Sequence, residues 1–322
     1  MLTVMDGFDE HLEIPKLRVL RKLGEGYFGI TFLIQDEAGK THVFKTARGP
    51  HLVPYLRREY DVLRHLTAHP FLGEYLPIPR LWMKAPPGFL MEYVQGKWLK
   101  ERPLLREDVV HIAEFMGIVH QVDPRALRRM LNVGMPPKPY RRYLLEDFWE
   151  ARQFFLRVSE YKHREKVAQV IHDVVARLPA LERHVKAVVP LFARCALSFV
   201  HGDLSPYNVC DTGQGIKVVD WGQCRVEARC ADIARTFRWF LLGPEEEEIF
   251  WRTYGMHDPG LIERTSAYGP VHAFYSLIYV MDRLRLAPDP EAHTEDIQTY
   301  LLKLFESGHR YWDQQKTWLG HW

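Results

Sequence analysis

Apolar residues follow two different periods along the chain, and the change falls close to residue 95. From Lys16 to Val94, short runs rich in β-branched and aromatic residues (LRVLRKL, GITFLIQ, HVFKT, LPIPRLW and GFLMEYV) surround one helical stretch, YLRREYDVL. Runs of that length and make-up suit pleated strands, so this region reads as a small, mostly antiparallel sheet with one helix. Between the second and third runs, QDEAGKT places acids and a glycine where a hairpin needs them, at Asp36 to Gly39. Beyond Gln95-Gly96 apolar positions recur at helical spacing, as at Val109, Ile112, Ala113, Met116 and Val119. Further helices are expected around Arg141 to Phe155, Lys162 to Ala176, Asp232 to Leu241, Glu245 to Tyr254, Leu261 to Leu284 and Glu295 to Phe305, with ALSFV and IKVVD as short strands among them. The pattern predicts an α+β protein: an N-lobe over 1–94 built on a small antiparallel sheet, and a large, mainly α-helical C-lobe over 95–322, with Gln95-Gly96 as the hinge.

Composition narrows the function classes. The 322 residues are 47% hydrophobic, ample for two cores. Lys and Arg total 43 against 41 Asp and Glu, a formal charge of +2, so no field directs the protein to nucleic acid or to a membrane surface. The four cysteines, Cys195, Cys210, Cys224 and Cys230, form no Cys-x-x-Cys pair and read as reduced thiols. The N-terminal stretch MLTVMDGFDEHLEIP lacks the basic start and apolar run of a signal peptide, and the longest apolar run, near Ala273 to Met281, is far short of a membrane span. The expectation is a cytoplasmic protein.

Candidate chemistry begins in LGEGYFGITFLI, where Gly24, Gly26 and Gly29 form a Gly-x-Gly-x-x-Gly pattern. A dinucleotide fingerprint opens a helix after its glycines, whereas GITFLI reads as strand, so a hairpin lid over phosphates fits better; a bare structural hairpin is the plainer alternative. Lys45, in HVFKT, puts a charge on a strand, where it is awkward unless it faces an anionic partner. It could hold the α- and β-phosphates of a nucleotide. Glu59 is positioned on the helix to pair with it, or equally to face solvent.

The strongest signal is FVHGDLSPYNV, in which Asp203 and Asn208 stand in a loop after an apolar strand. A carboxylate there can orient an acceptor hydroxyl and take its proton, while an amide oxygen can reach a metal ion. His201 reads as a brace for the loop. In VVDWG, Asp220 follows a second β-like run, ready to complete the oxygen shell that a hard divalent cation prefers. Each piece alone has a structural explanation, but their order along one chain is specific.

With those residues in hand the chain resembles the protein-kinase-like superfamily, and within it the aminoglycoside phosphotransferase and choline kinase group. HGDLSPYN is similar to that group's HGD-L-x-x-x-N catalytic loop, with Gly202 where protein kinases usually carry arginine. The resemblance implies ATP and Mg2+ as cofactors and a small-molecule hydroxyl acceptor such as an aminoglycoside, amino-alcohol or sugar. It implies that Met91 is the gatekeeper in LMEYVQG, that backbone atoms of Glu92 and Val94 hold adenine, and that Asp232 in ADIAR braces the catalytic loop. A plain helix N-cap is the alternative for Asp232. The Arg106 to Ala193 helices match an acceptor-binding insert, and no Ala-Pro-Glu segment follows Asp220, so phosphorylation of an activation loop is not expected. Rivals to a small-molecule kinase are a noncatalytic nucleotide-binding scaffold and a kinase acting on protein Ser and Thr.

The acceptor itself is not marked. The Glu245 to Glu248 run follows Pro244 and reads first as a helix N-terminus. Trp239, Trp251, Trp312 and Trp318 could contribute to a cage for a quaternary amine, though core packing explains them more simply. Arg125, Arg128, Arg129, Arg141 and Arg142 could meet an acidic acceptor or merely face solvent.

Overall fold

The structure, a computed structural model, describes residues 17–26, 28–131, 140–160, 165–193, 195, 197–255 and 259–286. It divides into two compact units, which are taken separately. Of the described residues, the first unit takes those up to Val119, 123–131 and Pro206–Arg225, and the second His120–Val122, those in 140–205 and those from Val226 on.

In the first unit, strands β1 (Leu17–Glu25), β2 (Gly29–Asp36), β3 (Thr41–Ala47), β4 (Pro79–Lys84) and β5 (Pro87–Glu92) form an antiparallel sheet in the order β1-β2-β3-β5-β4. The expected hairpin closes at Asp36, whose carboxylate accepts the amides of Ala38 and Lys40, with Gly39 at φ 80°. Alternation along β2 sends Ile30, Phe32 and Ile34 to one face, where they pack with Phe44 and Leu90. Cross-strand partners share a face, so Thr31, Lys45 and Phe89 line the other.

Helix α1 (Val53–Thr67) covers that second face, its Tyr60 ring 5.5 Å from Phe89. The buried stripe of α1 is Leu56, Glu59, Tyr60, Val62, Leu63 and Leu66. Its aliphatic members contribute on the order of 2 kcal/mol each by burial, and Glu59 is the single acid among them. A three-stranded ribbon completes the unit: β6 (Lys97–Trp98), β8 (Val209–Asp211) and β9 (Ile216–Val218), in the order β6-β8-β9. Gly96, at φ 158°, enters β6 so close to β8 that a Cβ would lie 2.1 Å from the Asp211 carbonyl oxygen. Arg102 ties this region together through a two-pronged bond to Asp108 and a third contact to Asp211. Helices α2 (Arg106–Val119) and α3 (Pro124–Leu131) also belong here.

The second unit is built from α4 (Tyr140–Ser159), α5 (Glu165–Val188), α6 (Arg229–Trp239), α7 (Pro244–Tyr254) and α8 (Pro259–Leu286), with a two-stranded ribbon of β7 (Leu197–Val200) and β10 (Arg225–Ala228). Phe155 stacks on Phe274 at 5.2 Å, pinning α4 to α8. Helix α5 runs on past the expected stop at Ala176 and through Pro179. Its buried Ile171, Val174, Leu178, Leu181 and Val185 keep one apolar stripe unbroken, and that burial outweighs the hydrogen bond the proline removes. Helix α6 starts at Arg229, a turn earlier than expected, and α3 was not anticipated. Residues 162–164 and the helix expected over Glu295 to Phe305 lie outside the described residues. Among the described residues no helix is long and apolar enough to cross a membrane, and the four cysteines are free thiols.

Candidate active site

The glycine-rich segment sits where β1 turns into β2. Its tight turn is closed by the Gly26 amide donating to the Gly29 carbonyl at 2.9 Å. The three glycines are not equivalent. A Cβ on Gly29 would meet the Thr46 carbonyl oxygen at 2.5 Å, so the close approach of β3 demands glycine there. Gly24 and Gly26 are exposed, with nothing within 4 Å at Gly24 and only the Gly29 oxygen at 4.0 Å from Gly26. Their backbones are therefore open to an approaching ligand.

Lys45 projects from β3 toward α1, where its ammonium meets both oxygens of Glu59 at 2.8 Å and Asp220 Oδ1 at 2.9 Å. Burial alone would depress Lys45, but Asp220 and then Glu59 outweigh it and hold the ammonium well above its ordinary range, so it stays charged. Burial pushes the Glu59 carboxyl up, against the pull of Lys45 and of a hydrogen bond from the Trp221 amide. The solvated alternative for Glu59 is thus excluded: the residue is 2% exposed.

Asp220 and Asn208 are brought to one end of the β8–β9 hairpin by strand register. Val209 pairs with Val218, and one rung further the Val219 amide donates to the Asn208 carbonyl at 2.9 Å. Asn208 thus precedes one strand and Asp220 follows the other at the same mouth. Asp220 has left-handed backbone angles, φ 62° and ψ 70°, uncommon for a residue with a side chain and tolerated best by Asp and Asn. Asn208 is buried, whereas 40% of the Asp220 side chain is exposed. A carboxylate and an amide at one hairpin mouth are hard oxygen donors, and with the partial exposure of Asp220 they suit Mg2+. Among the described residues no group of three His, Cys, Asp or Glu is spaced to hold a metal by itself. A cation held by this pair would take the rest of its oxygen shell from water or a bound ligand.

On β5, Met91 is buried and Glu92 is held at both ends. The Glu92 amide donates to the Ile78 carbonyl at 2.9 Å, and its carboxylate accepts the Ile78 amide at 3.0 Å. Val94 follows, half-buried, where the chain leaves the sheet.

In the second unit, Asp203 follows Gly202, which takes φ 83° just beyond β7. The Gly202 amide donates to Asp232 Oδ1 at 2.9 Å, and the Asp203 amide donates to His201 Nδ1 at 3.2 Å. Asp232 lies inside α6 and turns its other oxygen to His120 Nε2 at 3.2 Å, while His120 Nδ1 meets the Tyr254 hydroxyl at 2.6 Å. Burial would raise the Asp232 carboxyl, but the His120 hydrogen bond, with the charges of His120, Arg235 and His201, holds it far below the usual range. Asp232 therefore braces the loop and does not cap its helix. His120 and Tyr254 were missed from sequence: a lone histidine ending an apolar helix, and a tyrosine 134 positions away, carry no pattern.

The acceptor candidates resolve toward packing. The Gly243 amide donates to Glu246, Glu247 is buried, and Glu248 pairs with Arg252, as at an ordinary helix start. Trp251 packs against Phe237, Phe250 and Tyr254. Trp312 and Trp318 lie outside the described residues.

No curated protein is significantly similar to the chain in sequence. Solved structures match nearly its whole length at low identity. A choline kinase from Cryptosporidium parvum Iowa II has a TM-score of 0.61 at 17% identity, covering 95% of this chain and 94% of that one. A spectinomycin phosphotransferase solved with ADP and spectinomycin has 0.59 at 14%, covering 92% of each chain. A choline/ethanolamine kinase family protein from Mesorhizobium loti has 0.57 at 15%, covering 90% of this chain and 87% of that one. These likenesses show the fold, an α+β arrangement of the protein-kinase-like kind with an antiparallel sheet region followed by a helical one. The sequence itself matches the model of the phosphotransferase enzyme family over residues 19–268, and the chain belongs to that family.

Proposed function

We propose that the protein transfers the γ-phosphoryl group of ATP to a hydroxyl of a small molecule of the amino-alcohol, sugar or aminoglycoside kind. The observation that carries this reading is the Lys45 ammonium bonded at once to Glu59 and to Asp220, 175 positions away. One cation between two carboxylates leaves a net charge of −1 at a half-open site, which favours a metal–nucleotide over a bare polyanion. The fold neighbours are choline and antibiotic kinases, one of them solved with ADP, which supports a nucleotide donor.

In this reading the exposed backbone of Gly24 and Gly26 approaches the phosphates, with Gly29 shaping the turn. Lys45, oriented by Glu59, holds donor oxygens, and backbone atoms of Glu92 and Val94 hold adenine beside Met91. Asn208 and Asp220 hold Mg2+, which when bound neutralises charge on the phosphoryl oxygens. Asp203 orients the acceptor hydroxyl and takes its proton late, its amide fixed by His201.

Calorimetry with a non-hydrolysable ATP analogue tests the donor half. Uptake should require magnesium, and Lys45→Met should weaken it by about tenfold or more, the size of one lost charge-assisted contact. Labelled ATP offered with amino-alcohols, sugars, aminoglycosides and proteins tests the acceptor half. Transfer to a protein alone, or no nucleotide uptake by folded protein, overturns the reading.

A further inference from the structure

We propose that Arg58 is a positioning residue for the metal-binding segment: with Glu59 it clamps the backbone that follows Asp220 and ties it to the glycine-rich loop. The role of that segment rests on the function proposed above. The contacts do not.

Two successive residues of α1 grip two successive residues after Asp220. Glu59 accepts the Trp221 amide, and Arg58 Nη2 donates to the Gly222 carbonyl at 2.6 Å. One bond fixes an N–H and the other a C=O, so the segment can neither slide nor rotate without losing one of them. Asp220 needs such restraint. Its left-handed backbone is a conformation most side chains avoid, and such a residue persists only where its surroundings over-determine it. Gly222 also lies close to both regions, since a Cβ there would stand 3.0 Å from Phe28 and 3.3 Å from Asp220 Oδ1.

The same arginine reaches the glycine-rich loop. Its guanidinium lies 5.6 Å from the centre of the Tyr55 ring, and Tyr55 stacks on Phe28 at 5.5 Å with an interplanar angle of 27°. Phe28 sits between Gly26 and Gly29, so the path Phe28, Tyr55, Arg58, Gly222 joins the loop to the metal-binding segment along one face of α1. Lys45 joins the same two regions through Glu59 and Asp220. The second connection makes the pair a clamp: Lys45 holds the Asp220 side chain, Arg58 the backbone behind it.

The test compares Arg58→Met, which keeps a long apolar stem, with Arg58→Lys and Tyr55→Leu. Two quantities are read in each: amide exchange of peptides covering 219–224 in the free protein, and the magnesium concentration that half-saturates binding of a non-hydrolysable ATP analogue. Arg58→Met should speed exchange in that segment about tenfold, leave exchange of β2 and β3 unchanged, and raise half-saturating magnesium about tenfold, as one charged hydrogen bond is worth. Nucleotide affinity at saturating magnesium should stay within about twofold, Arg58→Lys should recover part of the loss, and Tyr55→Leu should shift both readouts about threefold. Unchanged exchange at 219–224 overturns the clamp. Faster exchange with unchanged magnesium dependence overturns the positioning role, leaving a purely structural contact. Absence of magnesium-dependent uptake in the parent protein sinks the functional reading instead, and the exchange data then still decide whether the clamp exists.

Discussion

Asp220 in the first unit and Asp232 in the second are both carboxylates beside cationic or protonatable partners, yet one site is left open and the other is sealed. Asp232 is 1% exposed and spends both oxygens on fixed donors, the Gly202 amide and His120. Asp220 gives one oxygen to Lys45, sits on a left-handed backbone, and keeps 40% of its side chain exposed. A brace works best when every polar atom is already satisfied, because stability is lost with any that is not. A binding carboxylate must retain something to give. The contrast separates a carboxylate that holds a loop in shape from one with capacity left for a ligand.

The largest effect should come from breaking the sealed site. Asp232→Ala strips the Gly202 amide and His120 of their acceptor inside a closed core, and should cost about 3–5 kcal/mol of folding stability in urea denaturation. Loss of less than about 1 kcal/mol would show that water reaches the site, and the contrast with Asp220 would fail. Asp220→Asn attacks the open site and should behave in the opposite way. Asparagine tolerates the left-handed backbone and Lys45 keeps Glu59, so stability should move by less than about 1 kcal/mol. Turnover should nevertheless fall by about a hundredfold or more, equivalent to roughly 2.7 kcal/mol in the barrier. Equal stability losses in the two variants would erase the distinction.

Much of this was legible in the sequence, for physical reasons that differ between residues. Lys45 shows as a misfit, a charge on a strand, and misfits invite partners; Glu59 shows only as a helix residue placed to pair with it or to face solvent, and its buried position on the apolar stripe came from the structure. Asp203, Asn208 and Asp220 show because they follow apolar runs in fixed order. What the sequence hides is register and distance. That Asn208 and Asp220 share one hairpin mouth depends on Val209 meeting Val218, which no local spacing announces. Arg58 looks like any surface arginine until α1 is placed against the 221–223 turn. Gly29 looks like part of a phosphate motif, yet Thr46 already forbids any larger residue there.

Acid should sharpen the contrast further. The Asp232 carboxyl is held below its ordinary value of 3.8, so its stabilising contribution is full above that value and is lost as pH falls toward the native-state value. Thermal unfolding of the parent protein should therefore move to lower temperature as pH drops below about 4, and Asp232→Asn should flatten that part of the profile. Asp220→Asn should leave the slope attributable to Asp232 in place. A parent profile that stays level from pH 5 down to 2 would mean that the carboxylate is not held by its donors.

The smallest and most discriminating change is Tyr254→Phe, which removes one hydroxyl three hydrogen bonds away from the loop it supports. His120 bridges Asp232 and Tyr254, its Nε2 bonded to the Asp232 carboxylate at 3.2 Å and its Nδ1 to the Tyr254 hydroxyl at 2.6 Å. The phenylalanine ring keeps the apolar contacts with Phe250 and Trp251 but leaves Nδ1 unanswered inside the core. Stability should fall by about 1 kcal/mol, the net worth of one neutral hydrogen bond. Amide exchange at Gly202 should quicken, because the imidazole that holds Asp232 has lost its own anchor. A variant in which stability falls while Gly202 exchanges as before would make Tyr254 a packing residue only, and the buried relay would then end at His120.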